Sequence, residues 1–368
     1  MLRCILLVVW VCAYLPPAVA AQDPVLEVDL HEILARFLAT NSMAPGISAQ
    51  VTCPPLGLDW SGAVGTVSRE SDEPLTVINT FRIASNTKTY VAAAILRLAE
   101  LNRLDLDSSL GSHLPTDQVD FLTADGYDLN AINLRQVLSH TSGLHEHCHD
   151  ERYGDAIVAD PQHQWTRSEQ IRQLVDWEDP AGQPGEGYFY SDTGYVMLGG
   201  IIERITGQNL GAAVRDLLDY PGLGLNVTWW ETLEVPPAAA GTRAHQYFGD
   251  HDTSDWNPSF DLYGGGGIVT DTLELGRFMR LLLKGDVLKQ DASLAAMTGD
   301  GTASYRLGLM SMELGGHQVW GHQGFWNTFA FHVPSLDLTV SGCILNHHAE
   351  NGKVLAAELI ERVSRARQ

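Results

Sequence analysis

The chain has 368 residues, 45% apolar and 18% charged, an ordinary globular composition with length for one large domain or two interlocked ones. Lys and Arg number 23 against 45 Asp and Glu, a formal charge of −22. That sign sets the surface against phosphate backbones and anionic lipid, and no basic tract argues back, so nucleic acid is not an expected partner.

Residues 1–20 read as an export signal. Arg3 supplies a positive start, "ILLVVWVCAYL" is too short an apolar run to span a bilayer, and "AVA" before Ala21 fits cleavage near Ala20. No later stretch approaches a membrane span, so the expected mature protein is exported, periplasmic or secreted, without one. Cleavage would leave Cys53, Cys148 and Cys343. An odd number excludes a complete disulfide framework, and Cys53 and Cys343 fall in strand-like runs, either as small core residues or as a pair.

Leu30, Ile33, Leu34 and Phe37 form the first helical stripe. Strand-like runs follow at 47–53 and 58–66. In "FRIASNTKTY" (81–90) a strand-like run gives way to a helical one carrying Val91, Ile95 and Leu98, which puts Ser85 and Lys88 at i and i+3 on one face of the first turn. A serine hydroxyl is a poor nucleophile until its proton is removed, and a lysine of lowered pKa beside a helix N-terminus can remove it. Further helices are marked by Leu198, Ile201, Ile202 and Ile205, by Leu275, Phe278, Met279 and Leu282, and by Ala356, Leu359, Ile360 and Val363. Late strand-like runs are "HQVWGH", "TFAFHV" and "LTVSGCI". Strands at both ends and a middle poor in them predict one antiparallel sheet from the early pair and the late trio, with the first and last helices on a face. This gives an α+β protein: a discontinuous sheet domain at 21–105 and 264–368, and a mainly helical insertion at 106–263. "YGGGGIVTDT" marks the return to the sheet, its glycines allowing close backbone approach and Asp271 with Glu274 reading as a capping pair.

Two further stretches carry chemistry: "GYFYSDTGYVMLGG" (187–200), with Tyr190 and Asp192, and "VWGHQGFWNTFAF" (319–331), with His322 and Gly324. Ser-x-x-Lys, Tyr-x-Asp and His-x-Gly, in that order, resemble the three motifs of the serine β-lactamase and penicillin-binding superfamily, in the branch of class C β-lactamases, D-alanyl-D-alanine carboxypeptidases and related esterases. "LRQVLSHTSGL" and "GGGGIVTDTLELGRFMRLLL" look like its connecting segments, and the resemblance spans roughly 27–365. It implies the β-lactamase/transpeptidase-like three-layer α/β/α fold and an acyl-enzyme on Ser85. Lys88 and Tyr190 would handle protons, the phenol pKa lowered by nearby positive charge, and the backbone N–H groups of Ser85 and Phe325 would form the oxyanion hole. Asp192, His322 and Gly324 would meet substrate, His322 holding a carboxylate or orienting Tyr190.

Two departures bear on the substrate. Asp192 stands where the family usually has Asn; ionised, it cannot donate a hydrogen bond, and it would either hold Lys88 charged or favour an amine-bearing substrate. His322 replaces the lysine usual in β-lactamases. Both favour an ester, amide or peptide substrate over a β-lactam, with class C-type β-lactamase or D-alanyl-D-alanine carboxypeptidase as the alternative, and a catalytically weak binding or sensing module as an alternative of another class. "HEHCHD" (145–150) offers a metal reading through His145, His147 and His149, but His149 and Asp150 are transposed relative to the H-x-H-x-D-H of metallo-hydrolases. The expectation is a polar loop bordering the cleft, with no metal or cofactor. Pocket shape is expected from loops at 145–165 and 226–260, and Trp60, Trp256 and Trp326 are candidates to line it. "NVT" at 226–228 matches a glycosylation acceptor and reads as a structural loop.

Overall fold

A computed structural model of the protein describes residues 24–148, 150–299 and 303–367. The expected export signal at 1–20 lies outside the described residues. The strands are β1 (Gly46–Cys53), β2 (Leu58–Gly65), β3 (Phe81–Arg82), β4 (Trp229–Trp230), β5 (Tyr247–Phe248), β6 (His251–Asp252), β7 (Ile268–Thr270), β8 (Met310–Leu314), β9 (His317–Gly324), β10 (Thr328–Val333) and β11 (Leu338–Ile344). Six of them form one antiparallel sheet in the order β2-β1-β11-β10-β9-β8. Early and late segments join where β1 pairs β11, with Val51 opposite Val340 and Ala49 opposite Gly342.

One face of this sheet is covered by the helices Pro24–Thr40 and Gly352–Ala366. Their stripes, Leu30, Leu34 and Phe37 on the first and Leu355, Leu359 and Val363 on the second, share a core with Val51, Phe331 and Val340. The other face packs on the helices Thr87–Glu100 and Thr272–Leu283 through a second core that takes in Ala330 and Cys343. Helices on both faces make three layers, the α+β arrangement expected. Cys53 and Cys343 are free, buried thiols, so the core alternative holds for both. Among the described residues no helix is long and apolar enough to cross a membrane.

Three details differ from the sequence pattern. The late strands number four, because β8 joins β9 through Gly315 and Gly316, both at positive φ as a tight hairpin favours. "MSMEL" lacks the β-branched alternation that marks a strand because it lies at the sheet edge and is only partly buried. The helix Thr272–Leu283 is capped by Asp271, which accepts from the Glu274 N–H at 2.8 Å. Glu274, however, accepts from the backbone N–H groups of Asn226 and Val227, at 2.6 and 3.0 Å, so its carboxylate ties "NVT" to the helix start instead of closing a capping box. Finally, a small sheet β3-β7-β4 braces the segment leading to Ser85 against the middle of the chain.

The layer that joins the two ends of the chain predicts a stability effect. Leu359→Ala should lower the unfolding free energy by about 2–5 kcal/mol, because a fully buried side chain leaves a cavity between helix and sheet. Urea unfolding should show a lower midpoint with little change in slope.

Candidate active site

Ser85 sits in a 3-10 turn, Ala84–Asn86, between β3 and the helix Thr87–Glu100. Ala84 takes φ +44°, a backbone setting that L-residues rarely adopt, so the surroundings must hold it. They do so through the end of the large sheet. Thr328 Oγ1 donates to Ile83 O at 2.9 Å, and Asn86 Nδ2 donates to Ile83 O at 3.1 Å and to Thr328 Oγ1 at 3.0 Å. Gly324 lies so close that a Cβ there would stand 2.2 Å from Ile83 O. Only glycine permits that approach, which presses the end of β9 against the turn.

Lys88, one turn on, is fully buried. Its Nζ donates to Ser85 Oγ at 2.9 Å, to Gly265 O at 2.8 Å and to the Asp192 carboxylate. Burial disfavours the ammonium, but the charge and hydrogen bond of Asp192, helped by Glu146 and Asp261, outweigh it and raise the lysine pKa. Asp192 is the first residue of the helix Asp192–Thr206, which Ser191 caps by accepting from the Gly194 N–H at 3.2 Å. The Asp192 N–H donates to Glu146, whose carboxyl is pushed well up by burial and by Asp192.

Tyr190 is half-buried and hydrogen-bonded to Ser85, its ring 5.0 Å from Lys88 Nζ and 4.3 Å from the His140 ring. Its phenol corrects the expectation of a lowered pKa: burial, then the Asp192 charge, push it well above its usual value. The positive charge that should have lowered it is already matched by Asp192. His322 is likewise placed differently from the expectation of a residue meeting substrate. It is fully buried, donates from Nδ1 to Gln323 O at 2.7 Å and accepts from the Tyr305 hydroxyl at 3.0 Å. Burial and the charge of Lys88 push its pKa down to about 3, so it offers no cation to a carboxylate. Strand alternation turns its neighbour Gln323 to the cavity instead.

Two cavities meet at Ser85. One is apolar, walled by Tyr153, Ile157, Phe248, Trp256, Phe260 and Trp326, with Asp192 and Asp261 among its lining. The other is more polar and includes Tyr190, Gln323, Gly324, Asn327 and Thr328. Phe325 lines both. The segments 145–165 and 226–260 do shape the apolar cavity. Trp256 and Trp326 border it, whereas Trp60 packs in the core beyond the sheet. In "HEHCHD", His147 bonds Thr193 Oγ1 at 2.6 Å and the His145 carbonyl accepts from Ser191 Oγ at 2.8 Å. Among the described residues the potential metal ligands that converge here are those of Glu146, His147 and Cys148, without His145; His149 lies outside the described residues. The sequence pattern did not single out Asp261, Tyr305 or His140, because each reaches the site from a segment with no periodic or spacing signal.

Comparison with known proteins shows what the chain and its fold are similar to. The chain is 24% identical over 284 residues to "Penicillin-binding protein 4*" of Bacillus subtilis (strain 168) and 26% identical over 289 residues to "Putative D-alanyl-D-alanine carboxypeptidase" of Salmonella agona (strain SL483). These matches take in 71% and 67% of this chain but 59% and 65% of the relatives' own lengths. Among solved structures, the D-amino acid amidase from Ochrobactrum anthropi SV3 complexed with L-phenylalanine amide superposes with a TM-score of 0.79 at 21% identity, over 93% of this chain and 99% of that one. A D-stereospecific amidohydrolase from Streptomyces sp. gives 0.72 at 26% identity, over 90% and 97%. The Beta-lactamase family model matches residues 57–359, a span that runs from the sheet's outer strand into the last helix and contains every residue placed at the site above, so the chain belongs to the Beta-lactamase family.

Proposed function

We propose that the protein is a serine hydrolase that forms an acyl-enzyme on Ser85 and acts on an ester or amide with an apolar acyl side. The observation that carries this reading is Ser85 Oγ, 2.9 Å from Lys88 Nζ, where an apolar and a polar cavity meet. The apolar cavity would take the acyl group and the polar one the leaving group. The names of the relatives, a carboxypeptidase and two amide hydrolases, support the same class of bond. The pattern of residues 1–20 supports export as part of the proposal.

In the proposed mechanism, Lys88 relays a proton. It passes one to Asp192 and takes the Ser85 proton as the oxygen attacks the carbonyl. The backbone N–H groups of Ser85 and Phe325 receive the oxyanion, an arrangement that favours charge developing in the transition state. Tyr190, kept as a phenol, protonates the leaving group and recovers its proton from Asp192 through Lys88. Water then repeats the sequence in reverse and frees the acid. Asp192 thus holds the Ser85 proton until Tyr190 is reprotonated, and the carboxylate–ammonium pair takes the place of a free amine. The neutral His322 argues against a substrate held by a carboxylate, which places β-lactams second.

Turnover should be compared on a p-nitrophenyl ester, a chromogenic cephalosporin and a D-Ala-D-Ala peptide. The wild type is expected to turn over the ester many times, and Ser85→Ala to lose about 10³-fold or more. A single stoichiometric burst without turnover would point instead to a binding or sensing module. Lys88→Ala should lose about 10²–10⁴-fold, the usual contribution of positioned proton transfer.

The Lys88–Asp192 pair makes a prediction in pH. In the wild type the lysine pKa is raised above its ordinary value, so kcat/KM should show no rise from lysine deprotonation across neutral pH. In Asp192→Asn, burial acts on Lys88 without its partner, the amine is freed at lower pH, and an ascending limb should appear between about pH 6 and 9. An unchanged profile would overturn the relay.

A further inference from the structure

Three carboxyl groups approach Lys88 from distant parts of the chain. Glu146, Asp192 and Asp261 all act electrostatically on a single buried ammonium, Lys88. Lys88 is ion-paired with Asp192. Glu146 accepts the backbone N–H groups of Asp192 and Cys148. Asp261 lines the cavity, and of the two cations that favour its ionised form Lys88 is paired with Asp192, while Arg82 shares Glu231 with Arg243.

The glycine run at 264–267 places these acids. A Cβ at Gly265 would stand 2.9 Å from Asp192 Oδ1, and one at Gly266 would stand 2.1 Å from Asp261 Oδ1. Two carboxylates therefore lie over adjacent glycines, whose missing side chains leave the room. The same backbone reaches the nucleophile, since Gly265 O accepts from the Lys88 Nζ that donates to Ser85 Oγ. Asp192, Asp261 and Ser85 line one cavity, whose remaining walls are largely aromatic and aliphatic.

We propose that this cavity takes an acyl group carrying an unblocked amine near the scissile carbonyl, with Asp261 as the carboxylate that receives the ammonium. The substrate class is then esters or amides of hydrophobic amino acids with a free amino group. This rests on the acyl-enzyme reading above and adds the recognition of charge. An acidic pocket with apolar walls rejects an anionic acyl group, and a neutral N-blocked one leaves the carboxylate desolvated without a partner. An ammonium meets the Asp261 carboxylate while its hydrophobic side chain occupies the aromatic wall. In the free protein, burial and the Asp192 charge push the Asp261 pKa to about 7, as an acid awaiting a cation should be.

The test compares phenylalanine p-nitroanilide, each enantiomer in turn, with 3-phenylpropionyl p-nitroanilide, which lacks only the amine. The wild type should favour the better amine substrate by about ten- to a hundred-fold in kcat/KM, the range of a hydrogen bond to a charged group in a partly dry site. Asp261→Asn should bring that ratio to within about threefold of unity. Calorimetric titration with 2-phenylethylamine against 2-phenylethanol reads the same preference without turnover, and needs only the wild type if the variant does not fold. Equal binding of the two in the wild type, or a preference retained in Asp261→Asn, would overturn the inference. Ser85-dependent turnover of the des-amino anilide without amine preference would overturn it too, yet leave the hydrolase reading standing. Loss of all Ser85-dependent turnover would remove the hydrolase reading, and the titration would still decide whether the cavity selects an amine.

Discussion

A buried ammonium cannot stand alone in a protein interior, and Lys88 is fully buried. Its partner Asp192 lies 104 residues further along the chain, so forming that pair fixes the helix Thr87–Glu100 against the helix Asp192–Thr206. Removing one member of such a pair typically costs about 3–5 kcal/mol, because the other charge is left desolvated. The third hydrogen bond of Lys88, to Gly265 O, brings in the glycine run as well. Three distant segments thus converge on one nitrogen, and of its partners Ser85 borders both cavities while Asp192 borders the apolar one.

The same pair sets the electrostatics around it. With the lysine charge matched, Tyr190 feels the Asp192 carboxylate more than the ammonium and stays a phenol. Burial, then the Asp192 charge, push the carboxyl of Glu146 well up, although it accepts the Asp192 N–H. His322 is held neutral by burial and by Lys88. The site is therefore a row of groups whose protons are placed by one ion pair, rather than a set of independent acids and bases. That is why an aspartate in place of the family's usual asparagine matters beyond a single hydrogen bond.

Glycine shapes the site on two sides. Gly324 lets the end of β9 press on the turn that carries Ser85, holding Ala84 in its left-handed setting. Gly265 and Gly266 lie beneath two carboxylates. The sheet supplies the rigid edge, and the segments 145–165 and 226–260 supply aromatic walls. The cavities on either side of Ser85 consequently differ in polarity, giving a substrate two unlike halves to fit.

Periodicity determined the helices that cover the sheet, since a stripe such as Leu30, Ile33, Leu34 and Phe37 needs only local spacing to announce which face is buried. Spacing and order likewise marked Ser85, Lys88, Tyr190 and Asp192 as belonging together. The edge strand β8 escaped because "MSMEL", though alternating, has none of the β-branched or aromatic residues that favour a strand. Protonation was beyond the sequence altogether: Tyr190 has a raised phenol pKa where a lowered one was expected, and His322 is neutral, because charge state depends on burial and on partners from remote segments. Asp261 was invisible for a related reason, as nothing near it in the chain signals that folding will set it over Gly266, beside Asp192. Local chemistry wrote the motifs, and only the packing of distant segments decided which of their groups carry charge and which line the cavities.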